Sequence, residues 1–128
     1  MCSSPTDNDP GIDILKGEAG NDCIYGGSGA DQIFGGADND TLQGDWIDFG
    51  ATISTNDQID GGDGDDIING GSFVDSGADQ LNGGNGSDTI SGSFGADIIH
   101  GNAGSDWLYG QGGDNDEVHG DEDSDHLD

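Results

Sequence analysis

From Leu15 onward an aliphatic side chain returns every nine residues, lengthened to 17, 13 and 10 at three places, flanked by one variable residue on each side. The aliphatic positions are Leu15, Ile24, Ile33, Leu42, Ile59, Ile68, Leu81, Ile90, Ile99, Leu108, Val118 and Leu127. Two residues before each stands an aspartate: Asp13, Asp22, Asp31, Asp40, Asp57, Asp66, Asp79, Asp88, Asp97, Asp106, Asp116 and Asp125. Both positions are filled in all twelve blocks, and eleven of the twelve open on glycine. The triplet around each aliphatic alternates as a short strand does, with one side chain inward and its neighbours outward. The glycine-rich remainder of each block predicts a tight turn, because glycine accepts positive φ and close backbone approach.

Composition changes how this pattern can fold. Glycine supplies 27 residues and Asp plus Glu 28, against a single basic side chain, Lys16, for a formal charge of −27. So many like charges on a chain with few apolar groups favour disorder in plain water. Twelve inward aliphatics are too thin a core to offset chain entropy alone. Folding therefore calls for a cation. Nucleic acid and anionic membrane surfaces are excluded as partners, since both require Lys or Arg against phosphate. No apolar run reaches the ~18 residues of a membrane span. No apolar stretch suited to a signal peptide follows Met1, so no N-terminal export signal is expected.

The blocks "GGSGADQIF", "GGDGDDIIN" and "GGNGSDTIS" match G-G-x-G-x-D-x-U-x, with U aliphatic, at every fixed position. The sequence resembles the RTX (repeats in toxin) family of calcium-binding repeats over residues 8–128, leaving residues 1–7 as an N-terminal arm. The resemblance implies an all-β fold: a right-handed parallel β-roll (β-solenoid) of about twelve nonapeptide repeats in six turns. Six residues of each repeat would turn and three would form a strand, two repeats completing one circuit. It also implies Ca²⁺ between turns stacked on the same side, so that Asp31 shares ions with Asp13 and Asp57. Asp22, Asp40, Asp66, Asp88, Asp106 and Asp125 would line the opposite edge. Carboxylates and free turn carbonyls suit the oxygen preference of Ca²⁺. Five gaps in each of two stacks give about ten internal sites, bringing −27 to about −7, ordinary for a soluble domain. The family further implies secretion to the extracellular space.

Departures from the pattern carry their own expectations. Asp38, Asp114 and Asp123 replace the fourth-position glycine, which should stiffen those turns. The fifth, seventh and eleventh repeats are longer by eight, four and one residues. All are odd-numbered, so the insertions should emerge on one edge. Trp46, Phe49, Phe73 and Phe94 fall in neighbouring turns of that edge, either as a satellite cluster folded over it or as a contact patch for a partner. His100 and His119 lie outward on adjacent strands, as solvated side chains or as a metal pair. Cys23 is within reach of Cys2 for a disulfide; two free thiols are the other reading. With repeats running to Asp128, copies stacked head to tail would set Asp125 against Asp22 and Asp116 against Asp13, for up to about twelve ions per subunit. The expected function is a calcium-assembled extracellular filament, or else a repeat block of a larger secreted toxin, adhesin or hydrolase. No H-E-x-x-H, G-x-S-x-G or P-loop is present, and no enzyme activity is expected. Regular Thr and Asn columns of an ice-binding surface are absent.

Overall fold

The computed structural model describes residues 11–45, 55–72, 76–113 and 115–128. Twelve strands follow in chain order: β1 (Ile14–Ala19), β2 (Cys23–Gly27), β3 (Gln32–Ala37), β4 (Thr41–Asp45), β5 (Gln58–Asp63) and β6 (Ile67–Asn69). They continue as β7 (Gln80–Asn85), β8 (Thr89–Ser91), β9 (Ile98–Ala103), β10 (Trp107–Tyr109), β11 (Glu117–Glu122) and β12 (His126–Leu127). The odd strands form one parallel sheet, β1-β3-β5-β7-β9-β11, and the even strands form another, β2-β4-β6-β8-β10-β12. The chain alternates between the sheets, so each pair of repeats completes one circuit. This is a parallel β-roll.

Register follows the aliphatic column without a slip. Leu15 pairs with Ile33, Ile33 with Ile59, Ile59 with Leu81, Leu81 with Ile99, and Ile99 with Val118. In the other sheet Ile24 pairs with Leu42, and the line continues through Ile68, Ile90 and Leu108 to Leu127. A slip of one residue would turn every aliphatic outward, so burial itself fixes the register. Nine aliphatics, from Ile24 to Leu108, form the buried core, with Leu15 and Val118 packed partly against it. Leu127 is 48% exposed, so the inward column is not buried along its whole length. An aliphatic is shielded fully only where a turn stacks on each side of it.

The six-plus-three division of the repeat needs correction. Odd-sheet strands run six residues and include both opening glycine positions, so Gly36 pairs with Gly62 and Gly62 with Gly84. The even-numbered turns that follow them are uniform in length, and their backbones go on bonding from turn to turn. Gly20 donates to the Ala37 carbonyl at 3.0 Å, Gly64 to Asn85 at 2.8 Å and Gly86 to Ala103 at 2.8 Å. All three longer repeats lie in the connections β4–β5, β6–β7 and β10–β11, which lead from the even sheet to the odd one. The insertions therefore share an edge, as their odd numbering predicts.

Asp38 and Asp123 adopt φ of 77° and 76° at the fourth position, beside Gly64 at 138° and Gly86 at 134°. Aspartate enters the left-handed region more readily than most residues, so these turns share positive φ with the glycine turns, at values about 60° lower. Asp114 lies outside the described residues. No helix among the described residues is long and apolar enough to cross a membrane.

Candidate metal sites

The strand that places an aliphatic inward also sets the aspartate two residues earlier at the mouth of the turn. Stacking then aligns these aspartates into two columns. On the odd edge Asp13 N–H donates to Asp31 Oδ1 at 2.9 Å and Asp31 N–H to Asp57 Oδ1 at 2.8 Å. The series continues from Asp57 to Asp79, Asp79 to Asp97 and Asp97 to Asp116, at 2.9–3.1 Å. On the even edge the same bond links Asp22, Asp40, Asp66, Asp88, Asp106 and Asp125 at 2.8–3.0 Å. All twelve predicted aspartates are thus brought together in the expected order, with Asp31 between Asp13 and Asp57. Eight of them are buried, from Asp31 to Asp106; Asp13, Asp22, Asp116 and Asp125 are half-buried.

Each of these carboxylates has a second oxygen to account for. The Oδ2 atoms of Asp22, Asp40, Asp57, Asp66, Asp88 and Asp106 are buried and have no hydrogen-bond partner among the described residues. In the eleven repeats that open on glycine, from Gly17 to Gly120, Oδ2 lies against the Cα of that glycine, often beside the carbonyl of the opening glycine two repeats on. At Gly26 a methyl group would stand 2.5 Å from Asp31 Oδ2 and 2.8 Å from the Gly44 oxygen. At Gly17 it would meet Asp22 Oδ2 and the Gly35 oxygen, both at 2.5 Å. Glycine is required here by space, since Gly17 and Gly26 have ordinary φ. Carboxylate and carbonyl oxygens converging in a buried row fit a hard, oxygen-seeking cation such as Ca²⁺. Among the described residues no three His, Cys, Asp or Glu side chains close into one metal-holding cluster. Consecutive aspartates in a column are about one strand spacing, ~4.8 Å, apart, so an ion between them would need backbone carbonyls as well.

A family model spanning four copies of the RTX calcium-binding nonapeptide repeat matches residues 7–42, 54–76, 73–108, 82–115 and 91–127. The chain belongs to this family. Comparison with curated proteins and with solved structures finds no match.

The electrostatics of this RTX roll point the same way as its donors. Burial, above all, pushes the Asp57 carboxyl up to about 8; the charges of Asp45, Asp79 and Asp31 add to it, and the Asp31 N–H holds it back. Burial likewise lifts Asp88 to about 7 against the Asp66 N–H, with Asp66 and Asp106 among the charges that add to it. Asp40, Asp66 and Asp106 are raised for the same leading reason. Stacked carboxylates in a dry column strongly disfavour being charged unless a cation joins them.

Two features of the roll escape a reading by repeat position. Asp45, second in the fifth repeat, is fully buried, and its Oδ2 accepts the Thr55 hydroxyl at 2.7 Å. The signal was an aspartate standing where the pattern has glycine. The second feature is another zipper, at the fifth position, running the opposite way. Asp65 N–H donates to Asn39 Oδ1 at 3.2 Å, Ser87 N–H to Asp65 Oδ1 at 2.8 Å and Ala78 N–H to Asn56 Oδ1 at 3.0 Å. Its signal was a side-chain carbonyl at that position.

The remaining candidates divide. His100 and His119 do meet, but as stacked rings 4.7 Å apart and within 10° of parallel. Each imidazole faces its own carboxylate, His100 with Asp121 at 2.9 Å and His119 with Glu117 at 3.1 Å. Phe94 is 44% exposed, and its ring covers Gly112, where a methyl group would stand 2.6 Å from Cε1. Its expected companions Trp46, Phe49 and Phe73 lie outside the described residues. So does Cys2; Cys23, at the start of β2, is half-buried and is not a free thiol.

Proposed function

We propose that this chain is a structural β-roll whose folding is driven by Ca²⁺, with the twelve repeat aspartates Asp13 to Asp125 as its carboxylate ligands. The observation that carries this reading is the pair of aspartate columns, buried through their middle, in which each carboxylate from Asp22 to Asp125 faces the opening glycine of its own repeat. About ten ions, one in each gap between stacked turns, would supply divalent charge to the columns and cross-link successive circuits. Ligand that binds only the folded state shifts the folding equilibrium toward it. Circular dichroism tests the reading directly. In chelator the chain is expected to be disordered, and millimolar Ca²⁺ should bring a cooperative rise of β-structure. A β-type spectrum that chelator leaves unchanged overturns it.

The working environment is extracellular, where calcium is abundant, and the role is structural, with no catalytic step assigned. In its finer form the proposal joins copies head to tail into a filament or matrix. What supports this is the repeat of the ladder: a second copy in phase would set Asp13 over Asp116 and Asp22 over Asp125. It would also cover Leu127, now 48% exposed, with Ile24 next in its column. Light scattering and negative-stain microscopy with and without calcium test this part. A strict monomer in excess Ca²⁺ rejects the filament and favours the other reading, a non-polymerising folding block of a larger secreted toxin, adhesin or hydrolase. Family membership supports that alternative.

A further inference from the structure

The outer face of the odd sheet ends in a pair of histidines. β9 and β11 run parallel, and their register sets His100 directly opposite His119. Each follows an aliphatic that faces the core, Ile99 or Val118, so strand alternation turns both imidazoles outward. The rings stack 4.7 Å apart and within 10° of parallel. Two carboxylates of β11 stand beside them. His100 Nδ1 meets Asp121 Oδ2 at 2.9 Å, and His119 Nε2 meets Glu117 Oε1 at 3.1 Å.

An ionised carboxylate only accepts, so each of these nitrogens donates and carries the ring proton. In the neutral imidazole the other nitrogen then bears a lone pair: Nε2 in His100 and Nδ1 in His119. Neither has a hydrogen-bond partner among the described residues. A carboxylate on one ring nitrogen fixes the tautomer and raises the basicity of the other, which prepares an imidazole to bind metal. Here that preparation occurs twice, on rings side by side. Two imidazole nitrogens at about 2.0–2.1 Å from one ion stand roughly 3.3 Å apart. Both side chains are about two-fifths exposed, so they can rotate to that spacing with the paired strands left in place.

Imidazole nitrogen suits Zn²⁺, Cu²⁺ and Ni²⁺, whereas Ca²⁺ takes oxygen. The chain's charge of −27 draws cations to its surface. Lys16, its single Lys or Arg, lies on β1 at the far end of the same sheet. Among the described residues no third His, Cys, Asp or Glu closes a cluster here, so water or an outside donor would complete the coordination.

We propose that His100 and His119 together hold one imidazole-seeking divalent ion, of the class of Zn²⁺ or Cu²⁺. His100 Nε2 and His119 Nδ1 ligate it, while Asp121 and Glu117 hold the opposite ring nitrogens. The ion ties the last strand of the odd sheet to its neighbour and keeps coordination positions open to a further ligand. None of these four residues is a repeat aspartate, so failure of this site leaves the calcium reading standing.

Isothermal titration calorimetry with Zn²⁺, in excess calcium, compares wild type with H100Q, H119Q and H126Q. His126 is the control: its ring lies 4.6 Å from Trp107 in the other sheet. Wild type should take one equivalent of Zn²⁺ at micromolar concentrations. H100Q and H119Q should each weaken binding about tenfold or more, and H126Q should leave it unchanged. Electron paramagnetic resonance with Cu²⁺ should count two nitrogen ligands in wild type and one in H100Q or H119Q. No zinc uptake by wild type overturns the proposal. So does equal affinity in H100Q or H119Q, which is also what zinc held by carboxylates alone would give.

Discussion

Replacing Gly26 with alanine places a methyl carbon 2.5 Å from Asp31 Oδ2 and 2.8 Å from the Gly44 carbonyl. Comfortable contact begins near 3.5 Å, so the carboxylate must retreat by roughly 1 Å. The backbone carbonyl on the other side leaves it little choice of direction. Asp31 Oδ1 accepts the Asp13 N–H at 2.9 Å, and a shift of that size takes the bond beyond useful range. Losing a hydrogen bond to a charged acceptor costs about 1.5–3 kcal/mol, and overpacking adds about 1–3 kcal/mol. Alanine recovers about 0.4–1 kcal/mol by restricting the unfolded chain. The net expectation is a destabilisation of about 2–5 kcal/mol. Gly20→Asn is the control: its φ is 107° and nothing lies within 4 Å of the new Cβ. Asparagine stands at positive φ at Asn102, though at 72°, so the control carries backbone strain without a clash and should cost about 1–2 kcal/mol. Urea unfolding in excess calcium measures both. With slopes of about 1–3 kcal/mol/M, Gly26→Ala should move the midpoint down by about 1 M or more. Equal midpoints for the two variants would refute the claim that the opening glycine is there to seat the carboxylate.

The raised carboxyls set a pH dependence whose sign differs with and without calcium. In chelator the folded roll retains protons on Asp57 and Asp88 up to about 8 and about 7, whereas the unfolded chain releases them near 3.8. The folded state then binds more protons across that window, so its stability falls as pH rises from about 4 to about 8. Circular dichroism in chelator should show β-structure gained on acidification; in calcium, where protons compete for the ligands, the trend should reverse. The same trend in both media would refute the argument. Asp88→Asn keeps an acceptor for the Asp66 N–H and removes a buried charge, so it should fold more readily in chelator at neutral pH yet need several-fold more calcium to saturate. Ile99→Ala, at 0% exposure, should cost about 2–5 kcal/mol. Leu127→Ala, at 48% exposure, should cost under about 1 kcal/mol, both read by urea unfolding in calcium.

The repeat columns are legible in the sequence because two periods coincide there. Alternation within each triplet decides which side chain is inward, and the recurring aspartate and aliphatic decide which residues stack. Asp13 to Asp125 and Leu15 to Leu127 could therefore be assigned to columns without coordinates. The extent of the odd-sheet strands was not legible, because a glycine pair such as Gly35-Gly36 has the composition of a turn. Whether its backbone continues a ladder depends on how the neighbouring turn stacks on it, which composition does not show. Asp45 was hidden for a related reason: "DWIDFGATIST" has the composition of a loop, and a single buried carboxylate within it has no period to betray it. His100 and His119 were placed side by side correctly, but which carboxylate each imidazole chooses rests on side-chain geometry beyond any spacing rule.

The uneven treatment of the two edges follows from where the insertions enter. Each extra segment lies between the second and fifth positions of a repeat, so the aspartate and aliphatic that follow keep their places. Asp57 still receives the Asp31 N–H and Ile59 still pairs with Ile33, although the fifth repeat is eight residues longer. Among the described residues backbone bonds join successive turns on both edges: Gly20 donates to Ala37 and Gly86 to Ala103 on the even edge, and beside the lengthened eleventh repeat Gly112 donates to the Ser93 carbonyl at 2.8 Å on the odd edge. Where the longest insertion begins and ends, the Asp45 N–H still donates to the Gly70 carbonyl at 3.2 Å and its Oδ2 accepts the Thr55 hydroxyl at 2.7 Å, so the stack is held there by backbone and side chain together.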